Sequence, residues 1–281
     1  MARGGPVRTW RGYGVLAAVP LLLATACGGG GGGPAKTSPS ATGATATGAT
    51  ATGATATGRA APGATDGPVV DADPARLPAT RKAALALIGK AIAGPDDFGP
   101  GVVARTPYES GPDTWPVLGT DCVWQQRPPG QGILATLARS FEIPAARGKG
   151  PLRLAAVMTV HRADDGARWE MAESLEETMR CPTQQLRQGE SISGVGATAL
   201  ALGEGGQVTS DDSLMEDGQY RSAELGGPYP YVWMQSQTLR FTYAVTARGG
   251  EGWARGEIDE VAVRGQAAMM NRLGAAIGRK G

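Results

Sequence analysis

The chain has 281 residues, with 27 Lys+Arg against 26 Asp+Glu, one His and three Cys. Balanced charge without a basic run removes the electrostatic basis for nucleic-acid binding, in which Lys and Arg neutralise phosphates. A lone His161 excludes multi-His metal sites and leaves any His-dependent triad resting on one residue.

Residues 1–14 carry Arg3, Arg8 and Arg11 and no acid, and the apolar run from Val15 to Ala26 is too short to span a bilayer. That layout predicts a secretory signal peptide over residues 1–26. The run ends in Leu23-Ala24-Thr25-Ala26-Cys27, which resembles the lipobox of bacterial lipoproteins. The resemblance implies that Cys27 takes a diacylglycerol thioether and palmitate-type acylation, anchoring the protein on the outer face of the cytoplasmic membrane. Ala24-Thr25-Ala26 also suits ordinary signal peptidase, which would give a secreted protein. Cysteine parity favours lipidation: with Cys27 modified, Cys122 and Cys181 remain as a pair for a disulfide.

Residues 27–75 are mostly Gly, Ala, Thr, Ser and Pro, with almost no large apolar side chain and a Gly-Ala-Thr-Ala-Thr repeat starting at Gly43, Gly48 and Gly53. Such a stretch buries too little apolar surface to offset its ordering entropy. It reads as a disordered tether with a reach of roughly 40 Å. The composition suits a plain linker and an O-glycosylated one alike.

Residues 76–281 form the expected folded domain. Leu85, Ile88 and Ile92 recur at helical spacing over Arg81 to Ala93, and Gly94-Pro95 stops that helix. Residues 94–119 read as an irregular connection, and Cys122-Val123-Trp124 opens the first strand. Alternation predicts strands over Ile133–Ile143 and Leu152–His161, with Leu152, Leu154, Ala156, Met158 and Val160 inward and His161 on the polar face. Asp164 and Asp165 start a helix through Met179, expected to turn Trp169, Ala172, Leu175 and Met179 inward and Glu170, Glu173 and Glu177 outward. Gly203-Glu204-Gly205-Gly206 reads as a turn, with short strands at Thr198–Leu202 and Gln219–Glu224. Stronger strands follow at Tyr229–Gln235 and Leu239–Thr246, and a last helix at Ile258–Ile277. This order predicts one α+β domain, a mainly antiparallel sheet with helices packed on one face.

The order of elements resembles the PknH-like extracellular domain of actinobacterial receptor kinases and stand-alone lipoproteins. Asp121-Cys122-Val123-Trp124 stands at an early strand, a strand ending at Val160 runs into a helix closed by Met179-Arg180-Cys181, and Leu239 to Thr246 feeds the C-terminal helix. The resemblance implies an extracytoplasmic sensor or ligand-binding domain.

No catalytic residue, metal set or cofactor motif stands out. No Gly-x-Ser-x-Gly elbow occurs, since Gly189-Glu190-Ser191-Ile192-Ser193 fails at its last position. His161 is expected to be a solvated strand-end side chain. Asp96-Asp97 and Asp211-Asp212 lack calcium-loop spacing and read as turn and cap residues. Trp124 and Trp169 are expected in the core. Tyr229, Tyr231 and Trp233 alternate on one strand face, either as core or as a platform for a ligand. The expected activity is therefore binding without turnover, in a module held to the membrane through Cys27 and contacting an envelope glycan, lipid or protein. A cell-envelope hydrolase and a structural or assembly partner without a small ligand are the competing readings.

Overall fold

The computed structural model describes residues 70–199 and 210–279. The signal segment, Cys27, the repeat tract and the expected turn at 203–206 lie outside the described residues. The strands form an antiparallel eight-stranded curled sheet in the order β1-β4-β5-β10-β9-β8-β7-β6. In chain order these are β1 (Val103–Glu109), β4 (Ile133–Ile143), β5 (Leu152–His161), β6 (Thr183–Arg187), β7 (Glu190–Ala199), β8 (Asp212–Ser222), β9 (Gly226–Thr238) and β10 (Phe241–Arg248). A separate hairpin joins β2 (Trp115–Leu118) to β3 (Trp124–Arg127). The helices are α1 (Arg81–Ala91), α2 (Asp164–Arg180) and α3 (Arg255–Ile277). The expected α+β class is what the structure shows.

Pleating assigns each sheet residue a face, because successive side chains point to opposite sides. On β5, Leu152, Leu154, Ala156, Met158 and Val160 are buried against the apolar sides of α1 and α3, including Ile88, Ile258, Val261 and Leu273. Across the ladder, Phe241, Tyr243 and Val245 stand opposite Val160, Met158 and Ala156 and continue the same face. Thr80 caps α1 by accepting the Ala83 N–H at 3.2 Å. At Gly265 a Cβ would come within 2.2 Å of the Phe98 ring, so only glycine lets α3 pack this close.

The helix α2 takes the opposite side of the sheet from α1 and α3. Its Glu170 bonds His161, Thr242 and Gln235, which alternate with the core residues of β5, β10 and β9. That packing corrects the orientation expected for α2. Trp169 and Met179 are 75% and 76% exposed and Leu175 is also exposed, while Ala167, Met171 and Thr178 are buried. The surface that receives α2 is polar, so the helix turns inward a mixed face, on which Glu170 and Thr178 stand beside Ala167 and Met171, and leaves Trp169, Leu175 and Met179 in water.

Two further departures have local causes. Residues 94–119, read as irregular, contain β1 and β2. Pro107 and Pro116 interrupt them, β1 lies at the sheet edge, and no apolar alternation marks either. The fold also begins before residue 76: Ala72 bridges Gly278, the Asp73 N–H reaches the Ile277 carbonyl at 2.8 Å, and Val70 and Ala72 pack on the core.

Candidate functional site

The polar side of the sheet is only partly covered by α2. Beside it the β2–β3 hairpin lies over the strands, and three kinds of bond fasten its turn to the α2–β6 junction. Cys122 and Cys181 form the expected disulfide. The Gln185 N–H donates to the Cys122 carbonyl at 2.8 Å, and an Arg180 guanidinium N–H donates to the Gly119 carbonyl at 3.1 Å. Trp124 Nε1 donates to Gln184 Oε1 at 2.8 Å, fixing that indole beneath the hairpin.

Hairpin, sheet and α2 together enclose two adjoining cavities. The wider, about 600 Å³, is lined by Trp124, Ala138, Val157, Tyr231, Trp233 and Arg248 among others. The narrower, about 50 Å³, lies against α2 and is lined by Trp115, Trp124, Trp233, Glu170, Glu173, Glu177 and Gln235 among others. Pro116, Trp124, Val157 and Trp233 belong to both walls.

Within this wall Glu170 is fully engaged. Its Oε2 pairs with His161 Nε2 at 2.7 Å and accepts from Thr242 Oγ1 at 2.8 Å, and its Oε1 accepts from Gln235 Nε2 at 2.8 Å. Since Nε2 of Gln235 is committed to a carboxylate, its Oε1 is fixed as an acceptor, and this atom is buried without a donor. Trp233 Nε1 and Arg248 Nε are buried donors without acceptors. Burial, reinforced by Glu173 and Glu216, raises the Glu177 carboxyl to about 7 against the opposing Leu118 N–H and Arg180. Burial also raises Glu216, which accepts a hydrogen bond from Thr178.

Beyond the wider cavity, Glu190 is buried among three guanidinium groups, those of Arg153 at 2.7 Å, Arg187 at 2.5 Å and Arg248 at 3.4 Å. Burial alone would raise this carboxyl, but Arg187 and Arg248 outweigh it and hold it below the ordinary value.

Of the aromatic face read from the sequence, Tyr231 and Trp233 line the wider cavity. Tyr229 instead donates its hydroxyl to the Leu225 carbonyl at 2.7 Å and packs on a small cluster with Tyr220 and Ile192. Tyr231 belongs to that cluster as well, so the strand face is core at one end and cavity wall at the other. His161 faces away from the main core as expected, yet it is buried beneath α2 and not solvated. Trp169, expected in the core, is on the surface. Asp97 takes the Gly94 N–H at 2.6 Å and pairs with Arg272; Asp211 takes the Leu239 N–H at 2.6 Å and Asp212 the Ser213 N–H at 2.7 Å. Gln235, Glu177 and Trp115 were not singled out by sequence. Gln235 carried one usable signal, since it continues the alternation of Tyr231 and Trp233 on the same strand. Among the described residues no group of three or more His, Cys, Asp and Glu side chains is placed to hold a metal ion. No helix of the described residues is long and apolar enough to cross a membrane.

No family model matches the chain, and no curated protein matches it. Among solved structures, the extracellular domain of PknH from Mycobacterium tuberculosis is similar at 12% identity and a TM-score of 0.43, over 69% of this chain and 98% of that one.

Proposed function

We propose that the protein is an extracytoplasmic binding or sensing lipoprotein of the cell envelope, anchored through Cys27, with its ligand held between the hairpin and the polar face of the sheet. The carrying observation is the set of buried, unpaired polar atoms around an aromatic wall: Gln235 Oε1 and Trp233 Nε1 each lack a partner that a bound molecule would supply. The disulfide supports an oxidising compartment, and the Arg-flanked leader and the lipobox support export and anchoring.

The same geometry supports binding without turnover. His161 has an acid partner, but that acid is saturated by three strands, the pair is buried, and His161 does not line either cavity. Trp233→Ala tests the reading, because this ring is half-buried and shared by both cavities. The variant is expected to fold and to lose binding of envelope glycans or lipids by about 1–3 kcal/mol. Retained affinity in the folded variant would place the site elsewhere, and hydrolysis of an envelope component lost on His161→Ala in a folded variant would make the protein an enzyme.

The assembly-partner reading has one observation of its own, the outward stripe of Trp169, Leu175 and Met179 on α2. Loss of a co-purifying envelope protein on Trp169→Ser, with cavity binding intact, would favour it.

A further inference from the structure

We propose that the narrow cavity against α2 is a subsite for a protonated primary amine, the head of a small molecule whose body lies in the wider cavity. This rests on the ligand-binding reading above and names the chemistry of that site. Three carboxylates line the cavity, Glu170, Glu173 and Glu177, and no Lys or Arg does. Glu170 has its hydrogen-bonding capacity taken up by His161, Thr242 and Gln235, so Glu173 and Glu177 are the carboxylates with capacity left for a ligand. Arg180, the cation nearest on the same helix, is occupied by Glu176 at 3.0 Å and the Gly119 carbonyl at 3.1 Å.

Two further features point to the same group. Gln235 is 2% exposed, and its unpaired Oε1 is an acceptor that a hydrogen-bond donor such as an ammonium N–H would satisfy. The indoles of Trp115, Trp124 and Trp233 contribute to the wall, and indole faces attract ammonium ions. This cavity, at about 50 Å³ the narrower of the two, accommodates an ammonium group with its first carbons. A quaternary ammonium has no N–H for Gln235, and the extra substituents of a secondary or tertiary amine add bulk in the narrower cavity, so the primary amine fits best. Trp233 Nε1, on the wall common to both cavities, asks for an acceptor such as a hydroxyl on the ligand body.

The test is an equilibrium titration of the full-length protein with 6-amino-1-hexanol and with 1,6-hexanediol, its near-isosteric neutral analogue, followed by indole fluorescence. The amine is expected to bind at least tenfold more tightly at pH 8. Its preference should shrink at pH 6, where Glu177, faced by Glu173 and Arg180 on its own helix, Glu216 on β8 and the Leu118 N–H of β2, takes up a proton. Glu177→Gln should abolish most of the preference, read as the ratio of the two affinities within the variant, and Glu173→Gln, at an exposed position, repeats the test should the first variant not fold. Equal affinity for the two probes overturns the amine subsite and leaves the ligand-binding reading standing; failure of both probes to bind overturns the two together. Displacement of the bound amine by soluble phosphoethanolamine marks a free molecule as the source of the head group. Displacement only by phosphatidylethanolamine vesicles marks a lipid headgroup, and either result supports the subsite.

Discussion

Gln235 Nε2 donates to Glu170 Oε1 at 2.8 Å, so a glutamine of β9 is locked by a carboxylate of α2, which is also tied to His161 of β5 and Thr242 of β10. One side chain thereby fastens a helix to three adjacent strands. Glu170→Ala would leave those partners buried without it, and the cost of unmade buried hydrogen bonds sets the scale. We expect a loss of about 2–4 kcal/mol in thermal or denaturant unfolding, with Glu170→Gln losing less because it keeps an acceptor. A loss below 0.5 kcal/mol for Glu170→Ala would show that α2 is held by other contacts.

Glu177 links the cavity to pH. Its folded value, about 7, lies above the ordinary 4.5, so the folded state binds this proton more tightly than the unfolded chain does. The stabilisation is fully present below about 4.5 and is lost as pH rises through 7. Glu177→Gln should therefore raise stability at pH 8 by about 1–2 kcal/mol, less than the full shift because the carboxyl keeps partial solvent access. It should have little effect at pH 5. Equal effects at the two pH values would mean that the carboxyl is not perturbed.

The opposite sign applies at Glu190, whose carboxyl is held below its ordinary value despite burial. Its contribution is present above pH 4.5 and is lost as pH falls through the lowered folded value. Glu190→Gln removes the buried counter-charge of Arg153, which is 3% exposed, although Glu224, largely exposed, still pairs with it at 2.6 Å. Breaking a buried pair from one side costs about 3 kcal/mol. Urea unfolding at pH 7 should register that loss; an unchanged midpoint would assign the network no net stabilising role.

The apolar core was legible because β5, β10 and α3 carry unbroken period-2 and period-3.6 patterns, and Leu154, Val245 and Leu273 are buried where those patterns put them. The candidate site was not. The pattern of α2 was read correctly as amphipathic, but periodicity does not say which stripe faces inward when the receiving surface is itself polar, and Thr159, His161 and Gln235 make it so. Of the hairpin, the strand opening at Trp124 is legible in the sequence, while β2 is not, for a related reason. Trp115 is placed by pairing opposite Arg127, and Trp124 by the neighbouring disulfide and the Gln184 bond, rather than by an alternating apolar pattern.

Removal of the Cys122–Cys181 bond tests how the hairpin is held. The bond closes a loop over a sequence separation of 59, for which the chain-entropy account gives about 4 kcal/mol. The Cys122→Ser, Cys181→Ser double variant should lose stability of that order. Because Trp124, Gln184 and Gln185 still join the hairpin to β6, the sheet and α3 should remain native while binding weakens more than stability alone explains. Hydrogen exchange would show it as faster exchange confined to residues 115–127. Uniform acceleration through β5 and β10 would instead make the disulfide a support of the whole fold.

Cys27 lies outside the described residues, and its role is open to a direct measurement. Cys122 and Cys181 are paired with each other, so Cys27 is the one thiol of the chain left for modification. An acylated Cys27 holds the protein at a membrane through two or more chains, an attachment that survives washing, whereas a single contact of moderate affinity does not. Cys27→Ser is therefore expected to move the protein from the membrane fraction to the medium without changing the melting temperature of the folded domain. Mass spectrometry of the wild-type N-terminal peptide should find diacylglycerol on Cys27. Membrane retention of the Cys27→Ser protein, or an unmodified Cys27 in the exported chain, would remove the lipid anchor and leave a secreted binding protein.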